Sequence, residues 1–155
     1  MAKDWHDYLK KYIWDEEKTP FLVAVDRLHK SQAHNEIFLY ALFLSVPAAL
    51  VAAAAVASSL RYGVDLLILV GLYGASVCVA AAWLYLRKSR FAAIYSVSVP
   101  LVLLAYLLWQ GFHPRLGALD QMVIVVVLLL WLRYTVRIHA IVRRYASMPE
   151  RPRPS

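Results

Sequence analysis

Residues 37–60 read IFLYALFLSVPAALVAAAAVASSL and contain no Asp, Glu, Lys or Arg. A helix needs roughly 20 mostly apolar residues to cross a hydrocarbon layer of about 30 Å. This stretch has the required length and lacks any charge that would have to be buried in lipid. We therefore predict that it forms a transmembrane helix.

Three further apolar blocks, 64–86, 91–110 and 121–140, follow at short intervals. The whole chain of 155 residues is 61% hydrophobic, whereas a soluble domain has about 45–50% apolar residues. The excess lies in the four blocks. These features predict an all-α integral membrane protein, with a four-helix transmembrane domain over residues 20–146.

The two ends of the chain lack such blocks. Residues 1–19 place aromatic and aliphatic side chains three or four positions apart, which is typical of an amphipathic helix on a membrane surface. Thr19 and Pro20 resemble a helix start, because Thr is a favoured N-cap and Pro a favoured first residue. Residues 147–155 are rich in proline, so we expect a disordered tail there. The apolar positions of the first segment are Trp5, Tyr8, Leu9, Tyr12 and Ile13.

Basic residues are distributed unequally around the predicted spans. Of those near the spans, twelve lie before the first span, between the second and third, or in and after the fourth, whereas the other two connections hold only Arg61 and Arg115. Because Lys and Arg collect on the cytoplasmic side, this predicts a bacterial inner-membrane protein with both termini in the cytoplasm. The twelve are Lys18, Arg27, Lys30, Arg87, Lys88, Arg90, Arg133, Arg137, Arg143, Arg144, Arg151 and Arg153.

A weak internal repeat relates the first and third spans. Ser-Val precedes both Pro47 and Pro100, and an Arg-x-Gly element with a following Asp comes after each. The repeat predicts two tandem helical hairpins with equivalent proline bends, and chance similarity is the alternative. The serines are expected to bond the carbonyls that the prolines free. Gly63 and Gly117 are expected to end helices in left-handed turns, and Asp65 and Asp120 to cap the next helices.

Small residues indicate which spans pack closely. Gly71 and Ala75, and likewise Gly74 and Cys78, have the four-residue spacing that lets helix backbones approach each other. The first span is rich in alanine, so we expect these two spans to form a tight pair. The fourth span is bulky on all sides, which favours contact with lipid or a partner.

Few residues suggest chemistry. His34 and His139 precede the first span and close the fourth, and they are weak candidates for ligands of a metal or haem, since neutral imidazole is a common ligand. Juxtamembrane histidines without a ligand are the alternative, and we expect no cofactor. A second set could bind anionic lipid or an acidic partner. It comprises Trp5, Tyr12, Trp14, Arg133, Arg137, Arg143 and Arg144.

The sequence carries no motif of a hydrolase, metalloprotease or nucleotide-binding loop. No carboxylate falls near the middle of a predicted span, where coupled transporters usually need one. We therefore expect a non-catalytic accessory or scaffold subunit of a membrane complex, or a homo-oligomer, in contact with anionic lipids and without nucleic acid. The alternatives are a bundle that binds haem, quinone or lipid, and a small holin-like pore former.

Overall fold

The apolar blocks form helices, as the sequence predicts. The computed structural model describes residues 23–150, and over these residues it contains α-helices and 3-10 turns but no β-strand. Residues 1–22 and 151–155, with the predicted amphipathic segment and the end of the tail, lie outside the described residues. The helices are α1 (Lys30–Tyr62), α2 (Asp65–Arg87), α3 (Arg90–Ser96), α4 (Ser98–Gln110) and α5 (Ala118–Arg144).

Helices α3 and α4 are separated by Val97 alone and form one apolar unit, Arg90–Gln110. With that unit counted once, the described residues contain four helices long and apolar enough to cross a membrane. This confirms the prediction of an all-helical protein with four candidate spans.

The helix start predicted at Thr19 and Pro20 lies outside the described residues, but the predicted continuous helix from there is interrupted before Lys30. Within the described residues, a 3-10 turn at Val25–Arg27 comes first, and α1 starts at Lys30 after His29 in extended conformation. The His29 backbone N–H donates to Oε1 of Gln32 at 3.0 Å. The Lys30 N–H donates to the carbonyl of Pro149 at 3.0 Å. These local and long-range bonds satisfy amides of the first turn, which a helix end otherwise leaves unpaired.

The start of the predicted disordered tail is also ordered. A 3-10 turn occupies Tyr145–Ser147, and the next residue, Met148, is buried in the core with 7% of its surface exposed. Glu150 lies 3.5 Å from Nζ of Lys30 across the same end of the bundle. Proline content alone therefore overestimated the disorder of residues 147–150, because burial of Met148 stabilises the packed conformation.

The close pairing of the first two spans is visible at the glycines of α2. A Cβ on Gly74 would come within 2.8 Å of the Ala48 carbonyl oxygen and 2.9 Å of the Ala52 Cβ. A Cβ on Gly71 would lie 2.8 Å from Cγ2 of Val56. The two backbones are thus close enough that only glycine fits at these positions, as the small-residue spacing predicts.

The turn between α1 and α2 follows the prediction in part. Gly63 ends α1 in the left-handed region, with φ of 65°, and its N–H donates to the Ser59 carbonyl at 2.8 Å. Asp65 is the first residue of α2 instead of its cap, because Val64 occupies the N-cap position. The predicted capping role of Asp65 is therefore not seen.

The connection between α4 and α5 uses different residues from those expected. Gly111, with φ of 75°, ends α4, whereas Gly117 has φ of −68° and is the N-cap of α5. Oδ2 of Asp120 accepts the Gly117 N–H at 3.1 Å, which fits the predicted capping role of Asp120. The prediction of a left-handed turn at Gly117 was wrong, because α4 ends six residues earlier at Gly111, which has the positive φ.

The two prolines lie in different local structures. Pro47 lies inside α1, which continues through it, whereas Pro100 is the third residue of α4, just after the interruption at Val97. A proline in the first turn removes an N–H that has no helical partner anyway. The two prolines therefore do not occupy the equivalent helix positions that the repeat predicts.

The serines do not take the predicted role either. Pro47 leaves the carbonyl of Phe43, four residues earlier, without its helical hydrogen bond. The Ser45 hydroxyl donates instead to the carbonyl of Leu42, at 3.3 Å. The Ser98 hydroxyl lies 2.9 Å from the hydroxyl of Tyr73 on α2. Ser98 thus contributes to contacts between helices, and the prediction that both serines satisfy freed carbonyls was wrong.

The core lies at one end of the bundle. Its members come from the first half of α1, the second half of α2, α3, the second half of α5 and the segments next to them. We call this the closed end, and we call the opposite end, with connections 63–64 and 111–117, the open end. The core residues are Leu28, Ala33, Ile37, Tyr40, Ala41, Leu44, Val77, Ala81, Leu84, Ala92, Ala93, Ile138, Ile141, Val142 and Met148.

We expect Gly74→Ala to destabilise the protein by about 1–3 kcal/mol, because its methyl group would overlap the backbone of α1. Thermal unfolding in mild detergent would measure the change. Gly117→Ala is the matched control, since its Cβ would meet nothing closer than 3.5 Å. Equal stability of the two variants would contradict the tight α1–α2 contact.

Candidate functional site

A buried ion pair joins α1 to α5 at the closed end. Glu36 has 0% exposure, and both of its carboxylate oxygens accept from Arg137. The distances are 3.1 Å from Nε to Oε2 and 2.8 Å from Nη2 to Oε1, which is bidentate geometry. The remaining terminal nitrogen, Nη1, donates to the Val23 carbonyl at 2.7 Å. One guanidinium therefore holds α1 and the chain that leads into it against α5.

Both partners lie about one and a half to two turns inside the helix ends. Glu36 is six residues after Lys30, and Arg137 is seven residues before Arg144, so each lies roughly 9–10 Å from an end at 1.5 Å per residue. A charge in such surroundings is costly unless it is paired and hydrogen-bonded. The pair thus fixes which turn of α1 faces which turn of α5.

A second polar contact lies one turn further into the bundle. The hydroxyl of Tyr40 on α1 is 2.9 Å from Oγ1 of Thr135 on α5 and 3.2 Å from Oγ of Ser96 on α3. Thr135 and Ser96 also donate to backbone carbonyls of their own helices, those of Trp131 at 2.9 Å and Ala93 at 2.8 Å. All three side chains are buried. Together they connect three helices through one tyrosine.

The two histidines predicted as weak ligand candidates lie in different surroundings. The His34 ring packs against Tyr85 of α2, with centroids 5.3 Å apart. His139 lies on α5 one turn after Thr135, and its Nδ1 is buried with no hydrogen-bond partner among residues 23–150. No group of three or more His, Cys, Asp or Glu that could hold a metal is present in this part of the chain. Within residues 23–150, His34 and His139 therefore do not belong to such a group.

The arginines predicted to form a binding surface separate into two kinds. Arg133, Arg143 and Arg144 are exposed, whereas Arg137 faces Glu36 inside the bundle. Arg137 is thus engaged internally, which differs from the exposed role predicted for it. Trp5, Tyr12 and Trp14, which complete the predicted surface, lie outside the described residues.

The turn between α2 and α3 places its basic residues in different surroundings. Lys88 has φ of 50°, and its Nζ lies 4.5 Å from the Tyr85 ring centroid and 5.7 Å from that of Tyr145. Burial lowers the pKa of the Lys88 ammonium from its ordinary value. Arg87, in contrast, is exposed. The turn therefore presents one basic side chain to the aromatic core and one to the surroundings.

Sequence reasoning assigned Arg137 to an exposed binding surface and did not identify Glu36 as its partner. Glu36 stands directly before the first uncharged block, and its partner is 101 positions away. A lone acid at the border of an apolar block, with an arginine at a similar depth in another block, is the signal that could have identified the pair. Tyr40, Ser96 and Thr135 carry no such signal, because single polar residues in apolar helices are common.

Comparison of the chain with protein-family models, with curated proteins and with solved structures finds no match.

We expect Arg137→Met to destabilise the protein by about 3–5 kcal/mol, because it leaves the buried Glu36 carboxylate without its cation. The double variant Glu36→Met with Arg137→Met should recover most of this loss, since no unpaired charge remains. Thermal unfolding in detergent would report both.

Arg133→Met is the matched control, because Arg133 is an exposed arginine one turn earlier on the same helix. It should change stability little. A double variant as unstable as Arg137→Met, or a control equal to it, would show that the ion pair does not hold the closed end.

Proposed function

We propose that this chain is a multi-pass protein of the bacterial inner membrane that acts by holding a partner. It would be a small non-catalytic accessory or scaffold subunit of a membrane complex, or a homo-oligomer. The observation that carries the proposal is the exposure of α4. Of the 13 residues in this helix only Pro100 is buried, although almost all of the others are apolar.

Membrane insertion is supported by the distribution of apolar surface. Large hydrophobic side chains point outward along all four candidate spans, for example Leu50 at 67% exposure, Leu72 at 61% and Leu108 at 87%. Monomeric soluble proteins rarely expose contiguous apolar patches of more than a few hundred Å². Lipid or other membrane proteins would cover this surface.

Orientation is supported by charge. The closed end carries Arg87, Lys88, Arg90, Arg143 and Arg144, whereas the connections at the open end carry Arg61 and Arg115. By the positive-inside tendency, the closed end faces the cytoplasm, and both termini lie on that side.

A partner is supported by the difference between the two ends. At the closed end, α1, α2, α3 and α5 bury side chains against one another and share buried polar contacts. At the open end, α4 has hardly any buried surface, with Tyr106 at 60% and Trp109 at 88% exposure. In a membrane, helices associate through packing and interhelical hydrogen bonds, and α4 has an unused apolar surface on which a neighbouring helix could pack.

The orientation is tested by cysteine labelling in a Cys78→Ala background. Val64→Cys and His113→Cys, at exposed open-end positions, should react with an impermeant maleimide in intact cells. Ser31→Cys and Ser147→Cys, at exposed closed-end positions, should react only after lysis. Labelling of either closed-end site in intact cells would refute this topology.

The partner is tested by photo-crosslinking in the native membrane. A photoreactive amino acid at Tyr106 of α4 should give an adduct with the mass of a second protein, either another subunit or a second copy of the chain. The same group at Leu69 of α2, with a similar exposure of 61%, is the control and should give lipid adducts only. Lipid adducts alone at both positions would overturn the proposal, as would a purified monomer with stoichiometric haem or quinone.

A further inference from the structure

A groove runs along the outer surface between α2 and α3. Its floor includes the small residues Ala80 and Ala92, and its walls include Trp83 and Phe91, which are 57% and 85% exposed. The groove holds about 580 Å³. Small residues between two projecting aromatic rings create this space, because neither alanine can fill the gap between the helices.

Hydrogen bonds close the groove on the side of the open end. The Ser76 hydroxyl lies 2.6 Å from that of Tyr95, and one turn further the hydroxyls of Tyr73 and Ser98 lie 2.9 Å apart. The Tyr73 and Tyr95 rings also approach each other, with centroids 6.5 Å apart. The apolar groove therefore has a defined inner limit.

Towards the closed end the groove becomes polar. It continues into a cavity of about 670 Å³ that shares Val79, Trp83 and Ser89 with it and adds Leu86 and Arg87. Arg87 is exposed, and no ion pair joins it to a carboxylate within residues 23–150. No acidic residue lines either part. The mouth of the groove thus presents a single positive charge.

The neighbouring basic residues do not share this mouth. Lys88 faces the rings of Tyr85 and Tyr145. Arg90 donates to the backbone carbonyl of Arg143 on α5 at 3.5 Å. The charge of the groove is therefore specific to Arg87 and can be removed by one substitution.

The dimensions of the groove fit one acyl chain of one leaflet. Ser76 and Arg87 are eleven residues apart on α2, which is roughly 16 Å along the helix. This is close to half of a hydrocarbon layer of about 30 Å. The apolar part of the groove extends from Ser76 to Trp83 on α2, roughly 10 Å, so its 580 Å³ corresponds to a mean cross-section of about 55 Å². This is smaller than the roughly 80 Å² of an α-helix about 10 Å wide. A narrow chain fits, whereas a partner helix does not.

We propose that this groove binds an anionic phospholipid, with one acyl chain between Trp83 and Phe91 and the phosphate group at Arg87. The proposal rests on the membrane location and orientation given above, which place Arg87 at the cytoplasmic headgroup level. The positive charge of Arg87 favours an anionic headgroup. The hydrogen-bonded pairs that end the groove, Ser76 with Tyr95 and Tyr73 with Ser98, leave space for the end of one acyl chain. The site is separate from α4 and from the buried ion pair.

Native mass spectrometry with added phosphatidylglycerol and phosphatidylcholine of identical acyl chains tests the site. The wild-type protein should retain phosphatidylglycerol in preference. Arg87→Gln should lose about fivefold of this preference, as expected for one surface arginine near anionic lipid. Ala80→Phe fills the groove, and it should weaken binding of both lipids by about tenfold, as expected when about two methylene groups lose their burial.

Two controls match these variants. Arg61→Gln removes an exposed arginine at the open end, and Ala75→Phe adds the same ring at an exposed α2 position outside the groove. Neither should change lipid retention. Equal lipid retention by the wild type and all four variants would indicate only a bulk lipid annulus and would overturn the site. If Ala80→Phe fails to fold, Arg87→Gln alone still tests the site. A wild-type protein without lipid preference that still forms the α4 crosslink would refute this site alone.

Discussion

The carboxylate of Glu36 is completely shielded from solvent, and such a group requires a cation and hydrogen-bond donors beside it. Arg137 supplies both through two nitrogens, and its third nitrogen binds the Val23 carbonyl. Replacing a buried pair with apolar residues often costs little, so its net contribution to stability is small. Its effect is on geometry, because helices α1 and α5 are locked in the one register that pairs the two charges.

That register determines what the rest of the closed end can do. With Glu36 opposite Arg137, Tyr40 comes one turn further to Thr135 and reaches Ser96 on α3, so the same alignment joins three helices. Within residues 23–150, α4 has one interhelical side-chain hydrogen bond, between its first residue Ser98 and Tyr73, and its only buried residue is Pro100. Contacts within the protein therefore hold the closed end together, whereas the apolar surface of α4 at the open end can be covered only by lipid or by another protein. This division is the physical basis of the proposed role as a partner-holding subunit.

The sequence predicted most of the fold because its strongest signals are local. Long apolar blocks define four helices, and the four-residue spacings that begin at Gly71 and Gly74 identify the close contact with α1. Signals that depend on distant residues were weaker: the start of α1 at Lys30 involves Pro149, and the order around Met148 depends on the core. The ion pair joins residues 101 positions apart, so no local pattern predicts it. The groove between α2 and α3 depends on how the helices pack, which local patterns also do not predict. The Ser-Val-Pro repeat predicted equivalent helix positions for Pro47 and Pro100, but one copy of the tripeptide lies within α1 and the other begins α4.

The central claim is that intrinsic contacts fix the closed end and the α1–α2 pair and leave α4, at the open end, to its surroundings. Pulsed EPR in lipid nanodiscs tests it with two spin-label pairs in a Cys78→Ala background, placed at exposed positions. One pair, Ser31 and Arg144, spans the closed end, and the other, Leu60 and Leu108, spans the open end. For the protein purified alone we predict a narrow distance distribution at the closed end and a broad one at the open end, since few buried contacts restrain α4. Equally narrow distributions at both ends would contradict the account.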